Sequence, residues 1–142
     1  MERIERMARI FPQLGARLGR LRAVVHDGMD LTYNQYKTLL TIADRGSCTL
    51  GELGRELDVA MSSASQMVDR LVSQGWVDRT QDSDNRRQVL ISLTPAGGDL
   101  LATLQETILA GYRQLFARLP EHEQEALVQS FETIAGILDK LT

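Results

Sequence analysis

The stretch Thr49–Thr94 reads TLGELGRELDVAMSSASQMVDRLVSQGWVDRTQDSDNRRQVLISLT, and its order of elements decides the fold. Thr49-Leu50-Gly51-Glu52 is a capping box that opens a short helix to about Leu57. Asp58-Val59-Ala60 makes a turn, and the spacing of Ala64, Met67, Val68 and Leu71 predicts a second helix from about Met61 to Gln74. Gly75 suits the left-handed conformation that closes a helix. Residues 76–81 and 88–93 read as two strands joined by the polar loop 82–87. Thr94-Pro95 starts another helix, with a capping threonine and proline in the first helical position. Helix, turn, helix and hairpin in this order form a helix-turn-helix with a wing. The second helix of such a unit fits a DNA major groove, and an arginine-tipped wing reaches the adjacent minor groove.

The second helix turns Ser62, Ser63, Ser65, Gln66, Asp69 and Arg70 outward. Serines are poor helix formers, but their short hydroxyls allow close approach to DNA and bond phosphates or bases. Gln66 has the geometry for a bidentate pair with adenine, and Arg70 for guanine or a phosphate. The same residues also make an ordinary solvated helix face. The loop tip Asp84-Asn85-Arg86-Arg87 says more. Arg86 and Arg87 are DNA-contacting candidates, Arg86 for a narrow minor groove. Asp84, or Asp82, is a candidate to hold a neighbouring arginine in place.

The flanks are helical. Ile4, Met7, Phe11, Leu14, Leu18, Leu21 and Val25 recur at intervals of three and four, with a kink or restart expected at Pro12. Asp27 to Asp30 reads as a loop. Thr32 to Gln35 is a second capping box, and its helix presents Tyr36, Leu39, Leu40 and Ala43 before Gly46. After Thr94 a helix carries Leu100, Leu101, Leu104, Ile108, Leu115 and Leu119 until Pro120 breaks it. A last helix shows the stripe Leu127, Phe131, Ile134, Leu138 and Leu141. Such long apolar stripes fit an interface, and an intramolecular three-helix packing buries the same pattern.

The expected architecture is mainly α with a small β-wing, one domain over residues 1–142. Residues 31–95 form the winged helix-turn-helix lobe, and residues 1–30 and 96–142 supply flanking helices. Composition agrees with one globular domain: 43 % of residues are hydrophobic and 25 % charged, which argues against disorder. No apolar run reaches membrane-spanning length, and the charged start MERIERMARIF does not resemble a secretory signal, so a cytoplasmic protein is expected. The single cysteine, Cys48, excludes an internal disulfide.

A net charge of −3 at first disfavours nucleic acid, but its distribution matters more. Residues 1–26 hold six Arg and two Glu, and residues 27–60 hold three basic and six acidic groups. Residues 61–95 hold four of each, and residues 96–142 hold three basic and seven acidic groups. The proposed DNA face is therefore only weakly basic, and a modest salt dependence follows.

The run from Leu50 to Gly97, with the approach LTYNQYKTLLTIA, resembles the DNA-binding core of the MarR family of bacterial transcription regulators. The most specific pieces are Leu71…Gly75-Trp76-Val77, Asp84-Asn85-Arg86-Arg87 and Leu93-Thr94-Pro95-Ala96-Gly97. The resemblance extends over nearly the whole chain. It implies a homodimer, with residues 1–30 and 96–142 as dimerisation helices, bound to a palindromic double-stranded DNA operator as a repressor or, less often, an activator. It also implies a cleft for a small aromatic or phenolic effector, for which Arg17, Arg20, Tyr33 and Tyr36 are candidates, with His26 nearby. Two positions depart from the family pattern. Ala60 stands where a capping serine is usual, and Gln66 where a basic residue is common.

Other chemistries find less support. There is no nucleophile–base pair, Gly-rich phosphate loop or metal cluster, so an enzyme is not expected, and neither is a cofactor. His26 and His122 lie far apart in sequence without ligand-spaced partners, so no metal is expected. Cys48 allows a redox-sensing regulator, against its reading as a small apolar residue. The acidic balance also keeps a protein-interaction module without DNA binding in view.

Overall fold

The computed structural model describes residues 2–142. Six helices and two strands follow in the order α1 (Arg3–Val25), α2 (Tyr33–Arg45), α3 (Leu50–Leu57), α4 (Met61–Ser73), β1 (Val77–Gln81), β2 (Val89–Leu93), α5 (Pro95–Phe116) and α6 (Glu121–Leu138). The fold is mainly α with an antiparallel two-stranded wing. Among the described residues no helix is long and apolar enough to cross a membrane. The chain divides into two compact units, Gly28–Thr107 and a second formed by Met1–Asp27 with Ile108–Thr142.

Local chemistry sets the boundaries in the unit Gly28–Thr107. The Thr32 hydroxyl accepts from the Gln35 N–H at 3.1 Å, and the Gln35 side chain accepts from the Thr32 N–H at 3.0 Å. Thr49 and Glu52 repeat the reciprocal pair at the start of α3. Each box satisfies donors that the helix start would leave orphaned. Asp58 ends α3 with φ 53°, a left-handed position that aspartate tolerates better than most residues. Gly75 closes α4 with φ 81°. The wing then pairs Val77 with Leu93 and Gln81 with Val89.

The core of this unit gathers Leu39 and Ile42 of α2, Leu53 of α3, Val68 and Leu71 of α4, Val77 of β1 and Ile91 of β2, with Leu101 and Leu104 closing it. Cys48 belongs to it. Its N–H donates to the Ile91 carbonyl at 3.0 Å, and the Ile91 N–H returns a bond to the Cys48 carbonyl at 2.7 Å. This isolated bridge ties the segment before α3 to the wing's second strand.

In the other unit, Val25 at the end of α1 is buried. A Cβ on Gly111 of α5 would come within 2.7 Å of the Val25 carbonyl oxygen, so the two helices meet where only glycine fits. Tyr112 and Phe116 stack edge to face, with centroids 6.4 Å apart. The Gln124 amide of α6 donates to the Phe116 and Leu119 carbonyls at 2.8 and 3.0 Å and caps the end of α5.

Four local expectations need correction. Helix α1 runs through Pro12 without a restart. Proline costs one backbone bond, and the turns on either side continue the helix around it. Ala43 is exposed instead of joining the inward face of α2. Leu141 lies in the turn after α6, so the apolar stripe of that helix ends at Leu138. Leu119, expected in the helix after Thr94, falls beyond α5, which ends at Phe116.

Candidate nucleic-acid interface

Helix α4 places its polar residues as its periodicity demands. Ala64, Val68 and Leu71 are buried, while Ser62, Ser63, Gln66 and Arg70 are exposed and Ser65 is half-buried. Ala60 occupies the N-cap and makes no side-chain capping bond. The first-turn N–H groups of α4 thus keep the orphan character that favours an anion. Ser73, near the other end, donates to the Arg70 carbonyl at 2.7 Å.

The wing loop is braced mostly through its backbone. The Asp82 N–H donates to the Gln88 carbonyl at 2.9 Å, and the Gln88 N–H to the Asn85 carbonyl at 2.9 Å. The Asp82 carboxylate accepts from the Asp84 N–H at 3.0 Å, and the Asn85 side-chain oxygen from the Arg87 N–H at 3.2 Å. The Gln81 amide donates to the Arg86 carbonyl. Among the described residues the Asp84 carboxylate holds no arginine. Asp82, Asn85 and Gln81 do the bracing because their side chains meet the loop's own backbone.

Charge within the segment is sorted by one ion pair. Arg79 of β1 bonds Asp69 of α4 and is neutralised there. Among the described residues, Arg70, Arg86 and Arg87 are in no ion pair, and all three are exposed. Sequence reasoning missed the pairing of Asp69 with Arg79. The signal available was one acid on the outward face of the helix and one base on the strand, visible only once strand and helix are adjacent. On the far side of the helix-turn-helix, Arg45 clamps α3 to α2. Its guanidinium reaches Glu52 at 2.6 Å and Glu56 at 2.5 Å.

The remaining candidates fall in different places. Tyr33 and Tyr36 are half-buried at the start of α2, Tyr36 packed against the core just described. Arg17 and Arg20 are exposed on α1, in the other unit. The Cys48 thiol is buried, and desolvation pushes its pKa up, with Glu52 adding to the shift. A raised pKa disfavours the thiolate on which redox sensing depends. Burial lowers the pKa of His26, and the nearby Arg22 lowers it further. Among the described residues no group of three or more His, Cys, Asp or Glu is placed to hold a metal ion.

Comparison with known proteins bears on this geometry. The model of the MarR family matches residues 31–89. The multiple antibiotic resistance protein MarR of Salmonella typhimurium is 38 % identical over 69 residues, 49 % of this chain and 48 % of that protein. The chain thus spans about half the length of the MarR proteins it matches in sequence. The HTH-type transcriptional regulator YhbI of Bacillus subtilis, itself uncharacterized, is 30 % identical over 118 residues, 83 % of this chain and 74 % of that one. Among solved structures, a cysteine-to-serine mutant of Escherichia coli MarR in complex with operator DNA superposes with a TM-score of 0.70 at 26 % identity, covering 92 % of this chain and 94 % of that one.

Proposed function

The chain belongs to the MarR family of transcriptional regulators, and on that footing we propose that it binds a palindromic operator in double-stranded DNA as a homodimer. The observation that carries this reading is the set of exposed arginines that are in no ion pair among the described residues, Arg70 on α4 and Arg86 and Arg87 on the wing. In this reading α4 enters the major groove. Ser63 and Gln66 read bases, and Ser62, beside the uncapped helix start, bonds a phosphate; Ser65 and Arg70 complete the contact. Arg86 enters the minor groove. The structural neighbour crystallised with operator DNA supports the assignment.

In the same reading residues 31–95 are the DNA-binding lobe, and residues 1–30 and 96–142 build the dimer. Support comes from exposed apolar side chains on the long helices: Ile4 is 78 % exposed, Phe11 65 % and Ile137 53 %. A monomer that leaves such stripes in water is poorly served. Dimerisation sets the half-site spacing near one helical turn of DNA, ~34 Å. The protein acts in the cytoplasm as a repressor. A small aromatic or phenolic effector releases it by favouring a state with mis-spaced recognition helices.

The experiment is direct. Genomic fragments retained by the purified protein are sequenced, and the recovered site is titrated by fluorescence anisotropy against a generic duplex at two salt concentrations. Tighter binding to the recovered palindrome, with two protomers per site, supports the proposal. Failure to bind any DNA at low salt overturns it in favour of a protein-interaction module.

A further inference from the structure

The turn into α4 is apolar where a helix start is ordinarily polar. Val59, Ala60 and Met61 follow one another, and all three are exposed. Val59 is 43 % exposed and Met61 54 %. Serine, threonine, aspartate and asparagine are preferred at an N-cap, because their oxygens satisfy the first N–H groups of the helix. Ala60 holds that position here with no side-chain bond. Single exposed apolar residues are ordinary on a protein surface. Three in succession, followed at once by Ser62 and Ser63, form a small apolar step beside the polar face of α4.

The step is held in place by its own backbone and by α3. Asp58, at φ 53°, makes the reversal that brings Val59 back onto α3. The Val59 N–H donates to the Gly54 carbonyl at 3.0 Å, and the Ala60 carbonyl accepts from the Ala64 N–H at 3.0 Å. Met61 lies over the same glycine, since a Cβ on Gly54 would stand 3.7 Å from the Met61 sulfur. Neither Val59 nor Met61 is drawn into the core, which takes Leu53, Val68 and Leu71 instead. An ordered apolar surface left in water gains from a partner that covers it.

We infer that Val59 and Met61 read thymine through its C5-methyl group. The inference rests on α4 entering the major groove, as proposed above. The N-terminal residues of such a helix are the ones that meet base edges. In that groove all four bases offer hydrogen-bonding groups, and only thymine adds an apolar one. An apolar pair at the leading end of the helix therefore has one complementary feature there, the methyl group. A capping serine or aspartate between the two would set a hydrated oxygen into the patch, and Ala60 keeps it apolar. The readers then divide by chemistry. Ser63 and Gln66 take hydrogen-bonding edges, and Val59 and Met61 take the methyl.

Thymine-to-uracil substitution tests it, because uracil keeps every hydrogen-bonding group of thymine and lacks only the methyl. Each thymine of the recovered operator is replaced in turn, and the full chain is titrated by fluorescence anisotropy at fixed salt. The wild-type protein should lose roughly 3- to 4-fold in affinity at one or two positions of each half-site, the value of one methyl group removed from water. Val59→Thr and Met61→Gln nearly keep the size of each side chain and replace apolar atoms with polar ones. At a position that its residue reads, each variant should bring the thymine-to-uracil affinity ratio close to one. Far-ultraviolet circular dichroism checks that both variants keep their helices. Should either unfold, Val59→Ala or Met61→Ala takes its place, and the wild-type scan needs no variant. A scan in which no thymine matters to the wild-type protein overturns the inference and leaves DNA binding standing. Ratios that persist unchanged in both variants assign the methyl to another side chain and overturn it too. A chain that binds no operator at all removes the proposed function, and the inference with it.

Discussion

Arg79 on the first wing strand donates to the carboxylate of Asp69 on α4, so wing and helix are tied at their polar edge. The tie continues along one face of the strand. Two residues further, the Gln81 amide holds the Arg86 carbonyl at the wing tip. The position of Arg86 relative to α4 thus runs through a short chain of side-chain bonds. The pair is partly exposed, and such pairs contribute about 1 kcal/mol or less to stability. Asp69→Ala and Arg79→Ala should therefore each lower unfolding stability by less than ~1 kcal/mol in urea denaturation. Their effects on operator affinity should be larger than that, and the double variant should lose no more than either single one. Additive losses in the cycle would show that the two side chains act separately.

The wing tip gives the second expectation. Arg86 and Arg87 are both exposed, but only Arg86 has its backbone anchored by Gln81. Arg86→Ala should cost on the order of 1–3 kcal/mol of operator binding by anisotropy at fixed salt. Arg87→Ala should cost less, with an effect shared by all sequences. Equal losses would mean the loop does not single out one arginine.

Two adjacent glycines provide a sharp contrast in stability. A Cβ on Gly97 would overlap the Trp76 carbonyl oxygen, whereas a Cβ on Gly98 meets nothing within 4 Å. The close approach arises because the Thr94 hydroxyl caps α5 through the Gly97 N–H at 3.0 Å and donates to the Gly75 carbonyl at 2.6 Å. Gly97→Ala should destabilise by at least ~2 kcal/mol through overpacking against backbone. Gly98→Ala should stabilise by up to about 1 kcal/mol, since alanine suits a helix better. Chemical denaturation of the two variants side by side decides it.

These features separate what was legible in the sequence from what was not. Both capping boxes, the turn at Asp58, the closing role of Gly75 and the start of α5 were readable because each is a bargain among residues a few positions apart. The buried face of α4 was readable because periodicity alone assigns it. The Cys48–Ile91 bridge, the Asp69–Arg79 pair and the approach of Gly97 to Trp76 join residues from different elements, and no local pattern announces them. Pro12 and Asp84 failed for a related reason. A propensity or a nearby charge was read as decisive, while the continuing helix in one case and the loop backbone in the other decided the outcome.

Acid should loosen the helix-turn-helix through Glu52. Hydrogen bonds from the Thr49 backbone N–H, then from its hydroxyl, hold the Glu52 carboxyl below its ordinary value of 4.5, and Arg45 adds to the effect. A carboxyl lowered by folding contributes stability that is fully present above its ordinary value. That contribution is lost as pH falls through the lowered value. Glu52→Gln keeps an acceptor for the capping box but has nothing to titrate. Its melting temperature should therefore fall less than that of the wild type as the pH is taken from neutral to below 4.5. Parallel curves for the two proteins would show that Glu52 does not contribute to acid sensitivity.

In the proposed DNA complex Gln66 is a candidate base reader on α4. It is exposed on the polar face, one turn ahead of Arg70, at a position where the family commonly carries a base. A neutral amide gives no general attraction to phosphate, but it can offer a donor and an acceptor together to an adenine edge. Gln66→Ala should therefore change preference at one base position of each half-site and leave binding to generic duplex, and its salt dependence, nearly unchanged. Ser62→Ala should behave oppositely. Its hydroxyl sits beside the uncapped start of α4, and losing a phosphate contact weakens all sequences alike. A selection from randomised half-sites with each variant compares the two. If Gln66→Ala recovers the wild-type sequence preference, base reading passes to Ser63 and Arg70, and Gln66 is a solvated residue of the helix face.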